Sequence, residues 1–180
     1  MNIIGREGRI KGRMVELSLN QLYGSQEKYA LIEVEIPGGK SGEKRDIAYV
    51  NVSYENPFTQ KKETSSGRVY ARFSKDKLKV KKSANIAVQK EYYLNLNAIS
   101  QERAISLSDK GKKNEAVSEL KKSADKLREV GQEYNDEELL KRAEEMEVQA
   151  GQIDKEGMTK KYRKVLRTDS YQMKNQQMSK

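Results

Sequence analysis

The sequence predicts an α+β protein in which an antiparallel β-sandwich is followed by an α-helical hairpin or three-helix unit. Two observations carry this. Apolar residues recur at every second position up to about residue 84 and at every third or fourth position beyond it, the change from a strand's period to a helix's. Charge changes sign at the same place. Residues 1–84 hold 17 Lys/Arg against 10 Asp/Glu, residues 85–156 hold 12 against 16, and the last 24 residues hold 7 against 1. Three regions follow: a β-sandwich domain over 1–84, an α-helical domain over 85–156, and a basic amphipathic helix with a loose C-terminal tail over 157–180.

In the first region Val15, Leu17 and Leu19 alternate with polar residues, as do Ile32, Val34 and Ile36. Ala48, Val50, Val52 and Tyr54 form a third such row, and Val69, Ala71 and Phe73 a fourth. Leu78 and Val80 suggest a short fifth strand. Each row gives a strand with one apolar face, so the sheet is antiparallel and half solvated. The connections "YGSQEK", "PGGKSGEKR" and "NPFTQKKETSSG" suit hairpins or sandwich corners. An immunoglobulin-like sandwich closes such strands. Five short strands are few for two sheets, so weak self-association through an open strand edge is expected, near Val15–Leu19 or Val69–Phe73.

In the second region Asn85 is placed to cap a helix running to Lys110, with Val88, Tyr92, Leu96, Ile99, Ala104 and Leu107 on its inward side. Gly111 ends it. A second helix over roughly 112–130 carries Val117, Leu120, Ala124 and Leu127. A third, opened by Asn135 and Asp136 and ending near Ile153, carries Leu139, Ala143, Met146, Ala150 and Ile153. Asp136, Glu137 and Glu138 fall in its first turn, where the helix dipole favours carboxylates, so they read as caps and not as a metal site.

Composition excludes several chemistries. The chain has 180 residues with no cysteine and no histidine, which removes thiolate and imidazole metal centres, cysteine proteases and serine–histidine hydrolases. The stretch "VEIPGGKSGE" holds Gly-Lys-Ser as a phosphate-binding loop does, but Val34 stands where that motif needs its first glycine and a strand follows where a helix is required. It reads as a hairpin loop. Glu33 and Glu35, two residues apart on one expected strand, read as a solvated face and not as a glycosidase pair. No catalytic residue, metal ligand or cofactor is expected, and the chain reads as a non-enzyme.

The segment "ERAISLSDKGKKNEAVSELKKSA" resembles a tetratricopeptide hairpin, with Ala104, Gly111, Ala116 and Leu120 at that family's spacings and Ser123 departing from it. A wider resemblance covers nearly the whole chain. The runs "IIGREGRIKGRMVELSLNQLYGSQEKYALIEVEIP", "DIAYVNVSYENPFTQ", "NEAVSELKKSADKLREVGQEYND" and "KKYRKVLRTDSYQ" are similar, in that order, to the C-terminal region of bacterial proteins that carry a von Willebrand factor A domain. The D-x-S-x-S motif with which such A domains bind a divalent cation is absent from the sequence, so no metal-site residue carries over.

The resemblance implies a non-catalytic C-terminal scaffold or protein-interaction module. It implies the A domain of the parent chain and other proteins as partners, with weak homo-oligomerisation possible, and an address in the periplasm or cell envelope. The N-terminus "MNIIGREGRIKGR" has no signal-peptide core, so an export signal is expected upstream. The candidate interaction surface is the basic helix of the third region, with Lys160, Lys161, Tyr162, Arg163, Lys164 and Arg167. The rival reading is electrostatic binding of polyanions, either nucleic acid or an acidic envelope surface, through the basic regions. Nucleic acid is the less expected partner, because no groove-reading or stacking motif accompanies the charge.

Overall fold

The computed structural model describes residues 1–19, 21, 22, 24 and 27–176. The chain divides into two compact units, one formed by Met1–Glu33 with Asn85–Lys180 and the other by Val34–Ala84. Antiparallel strands precede helices, as expected from the change of period. Among the described residues the strands show no closed sandwich. The strands pair two by two: β1 (Asn2–Ile4) with β4 (Leu31–Glu33), β2 (Arg9–Lys11) with β3 (Met14–Glu16), and β5 (Lys44–Asn56) with β6 (Lys61–Arg72). Of the residues in these strands only Ile4 is buried. The strand expected through Ile36 ends at Glu33. The turn "YGSQEK" and the end of the C-terminal tail lie partly outside the described residues.

Leu78 and Val80, read as a strand, lie in the short helix α1 (Lys77–Lys82). Asp76 decides this by accepting the Lys79 N–H at 3.1 Å, which supplies the helix with an N-cap. The alternation of lysine with Leu78 and Val80 fits either period over so short a run.

The helices of the other unit start and stop where local chemistry dictates. Asn85 caps α2 (Ile86–Asp109) by accepting from Val88 N–H at 3.2 Å. Gly111, at φ 74°, ends it while the Lys112 N–H turns back to the Leu107 carbonyl. The second long helix, α3 (Lys113–Tyr134), runs four residues past its expected end, and Gly131 within it lies so close to Leu140 that a methyl group there would stand 2.9 Å from its side chain. Asn135 and Asp136, expected together as openers, divide the work. Asn135 takes the left-handed conformation that stops α3, and Asp136 caps α4 (Glu137–Glu156) through the Leu139 N–H. Thr159 then caps α5 (Lys160–Lys174).

These helices pack into one bundle with two apolar clusters. Ala104, Ile105, Leu120, Met146, Ile153 and Leu166 anchor the first, and Leu94, Ala98, Leu127, Leu139 and Met173 the second. The stripes read for α3 and α4 are all buried. The stripe read for α2 is not: Val88 is 48% exposed and Ile99 37%, whereas Leu94, Asn95, Asn97, Ala98 and Gln101 face inward. The polar inward residues bond one another and neighbouring helices, while among the described residues the buried Gln101 Oε1 finds no partner. Gln101 donates to Asp169 at 2.6 Å and to Asn97 at 3.3 Å, Asn97 donates to Ser123 at 2.8 Å, and Arg142 pairs with Asp169. Four helices thus share one polar seam, which fixes their relative register.

The N-terminal segment is held to the bundle by hydrogen bonds. Arg6 donates to Gln176 at 2.6 Å, Lys28 to the Asn175 carbonyl at 2.6 Å, and the Tyr29 hydroxyl bonds Glu91 and Asn95. Burial, followed by the Glu91 carboxylate, pushes the Tyr29 phenol well above its ordinary value, so it stays a donor at neutral pH. Gly5, at φ 71°, passes directly over Asn95, where any side chain would collide.

Candidate interaction surface

The most exposed apolar surface belongs to the β5–β6 ribbon. Its register pairs Ala48 with Val69, Val50 with Gly67, Val52 with Ser65 and Tyr54 with Glu63, so these residues share one face. Val50 and Val52 are each 46% exposed, Tyr54 48% and Val69 51%. Alternation marks this row in the sequence, where it suggests the inner face of a sandwich. It lacks a cover among the described residues. The other face combines charged groups with tyrosine rings. Arg68 pairs with Asp46 and lies over the Tyr49 ring, and Lys44 sits 3.7 Å above the Tyr70 ring. Lys44, Asp46, Arg68 and Tyr70 line a shallow depression on that side. At the tip, Asn56 accepts from the Phe58 N–H, leaving the Phe58 ring 96% exposed.

The ends of the apolar face carry charge. Glu63 accepts hydrogen bonds from Tyr54, Asn56 and Thr59, and these hold its carboxyl below the ordinary carboxylate value. At the base Glu43 accepts from the Lys40 N–H at 2.9 Å and pairs with Arg45 at 2.5 Å, while the Arg45 guanidinium lies over the Phe73 ring.

That base also disposes of the phosphate-loop resemblance. Residues 38–43 lead into β5, a strand, and the Glu43 carboxylate already occupies the backbone donor that a phosphate would need. Calorimetry with magnesium ATP is therefore expected to show no binding. A micromolar, magnesium-dependent site that Lys40→Ala removes would overturn this.

The candidate residues of the basic helix divide among different tasks. Tyr162 is half-buried against the first apolar cluster and donates to Glu156 at 2.8 Å. Arg163 pairs with Asp109 at 2.5 Å. Lys160, Lys161, Lys164 and Arg167 are exposed. Two of the six therefore dock the helix and four face solvent. Three of the carboxylates weighed as sites have partners. Glu33 accepts from Asn2 and Tyr92, and Asp136 and Glu138 share the Lys90 ammonium at 3.2 and 2.6 Å. Among the described residues no three Asp, Glu, His or Cys side chains are placed to hold a metal ion, and no helix is long and apolar enough to cross a membrane.

The ribbon's value as a surface was partly visible in the sequence. Period two marked its apolar row, but period two cannot say whether that row is covered within the chain. Phe58 carried no periodic signal, and only its position beside Pro57 in a turn-forming run pointed to a tip. Comparison with protein-family models, curated proteins and solved structures finds no match.

Proposed function

We propose that the chain is a non-catalytic scaffold and protein-interaction module that binds other proteins through the β5–β6 ribbon. The observation that carries this reading is the uncovered apolar row from Ala48 to Tyr54 with Val69 opposite. A two-stranded ribbon is marginally stable alone, and apolar surface rimmed by charge is the usual mark of a docking site. The resemblance to the C-terminal region of von Willebrand A-type proteins names the setting, with the A domain as a partner and the periplasm or envelope as the address. Within this reading the ribbon is one layer of an immunoglobulin-like sandwich whose second layer comes from a partner. The α2–α3 pair is a tetratricopeptide-like hairpin, supported by the burial of Ala104, Ala116 and Leu120 around the Gly111 turn.

The reading is tested by titrating the chain with an A domain from a bacterial protein of this kind. Binding is expected to be lost in a Val50→Lys, Val52→Lys variant, retained when Lys160, Lys161, Lys164 and Arg167 become Ser, and little changed by salt. If affinity instead falls by roughly a thousandfold between about 50 and 200 mM salt, and the α5 variant alone abolishes it, polyanion binding replaces the scaffold reading.

A further inference from the structure

The ribbon's apolar face has charges only at its two ends, and their order is self-complementary. Take the Val50–Gly67 pair as the centre. Toward the tip the face continues through Val52–Ser65 to Tyr54–Glu63 and then Asn56–Lys61. Toward the base it continues through Ala48–Val69 to Arg45–Ala71 and then to Glu43 beside Phe73, the bulge between Asp46 and Ala48 keeping Arg45 on this side. Glu63 and Ala71 are each four residues from Gly67, and Lys61 and Phe73 each six. The acidic–basic order at the tip is thus the reverse of that at the base.

We propose that this face binds a second copy of the chain, ribbon on ribbon, about a two-fold axis through the Val50–Gly67 pair. The inference rests on the reading of the ribbon as a protein-binding surface and names one occupant. The two-fold places the tip of one ribbon over the base of the other. Glu63 then meets Arg45 of the other copy, Lys61 meets its Glu43, and each contact occurs twice, as a self-complementary interface requires. Between these ends the valine, alanine and tyrosine side chains interdigitate as in two stacked sheets, about 10 Å apart. A surface with a single sign of charge would satisfy one end and oppose its neighbour, whereas a second copy satisfies both.

Size sets the strength. Strands of 13 and 12 residues at about 3.3 Å per residue make a face about 40 Å long and two strands wide. A footprint of about 400 Å² per copy falls in the range of weak, transient association. The product is a four-stranded, two-layered sandwich, the architecture that the alternating rows suggest but that one chain does not close.

Sedimentation equilibrium of the full chain is expected to show the mass rising from 20.7 kDa toward twice that value as concentration passes through about 10 to 500 μM. Val50→Lys sets two like charges together on the axis and is expected to leave the chain monomeric throughout. Glu63→Lys and Arg45→Glu are each expected to weaken dimerisation at least about tenfold, while an equimolar mixture of the two variants recovers it, because both end contacts then join opposite charges. Circular dichroism matching the parent chain confirms that the exposed substitutions leave the fold intact. The proposal is overturned if the parent chain stays at 20.7 kDa, if Val50→Lys dimerises as well as the parent, or if the mixture is no heavier than either variant alone. A monomer that still binds the A domain through Val50 and Val52 removes the second copy and leaves the scaffold reading intact. A dimer indifferent to the A domain does the reverse.

Discussion

Leu120→Ala lowers the stability of the helical unit by about 2 to 5 kcal/mol in reversible urea denaturation. Leu120 has no exposed surface and sits where α2, α3 and α4 converge. Its neighbours include Ala104, Ala116, Ala124 and Ala150, whose methyl groups are too short to swing into the vacated volume. The cavity therefore persists, and the expected cost lies in the upper part of the range. A change near zero would mean that the leucine faces solvent and that the buried stripe is misassigned.

Asp169→Ala produces a smaller loss by a different route. The Asp169 carboxylate joins Gln101 of α2 to Arg142 of α4 from its own place on α5, and the Arg142 and Asp169 side chains are only 12% and 16% exposed. Removing the carboxylate leaves the Arg142 guanidinium with Glu145 alone and the Gln101 amide with Asn97 alone, and losing one partner of such half-satisfied buried groups costs about 1 to 3 kcal/mol. Replacing both charges, Arg142→Met with Asp169→Leu, is expected to recover part of that loss, since the guanidinium goes together with its partner while the Gln101 amide keeps only Asn97. A double-mutant cycle measures the coupling. If Asp169→Ala costs less than about 0.5 kcal/mol, the pair behaves as a surface ion pair and the seam is not a structural element.

That seam also marks where sequence reading stopped. In α3 and α4 the inward positions are nearly all apolar, so a period of 3.6 finds them directly. In α2 the inward face holds Asn95, Asn97 and Gln101, while Val88 and Ile99 point outward. A pattern of apolar residues therefore finds Ala104 and Leu107 at the C-terminal end of the helix but misplaces Val88 and Ile99. Burial of an amide depends on a partner such as Ser123 or Asp169, 26 and 68 residues away, and spacing along the chain carries no trace of it. Capping was more legible, because Asn85 and Asp136 act on groups three residues ahead of them.

The strands tell a similar story at larger scale. Alternation located the ribbon rows correctly, and the step from rows to a closed sandwich failed because closure needs a second apolar layer. The candidate surface was therefore legible as residues and not as a surface. In the basic helix, charge with an interleaved tyrosine grouped six residues, and contacts with Asp109, Glu156 and the core set Tyr162 and Arg163 apart from the other four.

The division of the chain into a unit made from both ends and a unit made from the middle has a consequence during synthesis. The inner unit, Val34–Ala84, is contiguous, and its two long strands are joined by a tight connection. It can pair as soon as it emerges from the ribosome. The first 33 residues wait, because Arg6 and Lys28 are held by Gln176 and Asn175 at the far end of α5. At translation rates of about 5 to 20 residues per second that delay is roughly 7 to 30 s. The nascent protein thus matures from the inside of its message outward, with its earliest-made segment the last to find its seat.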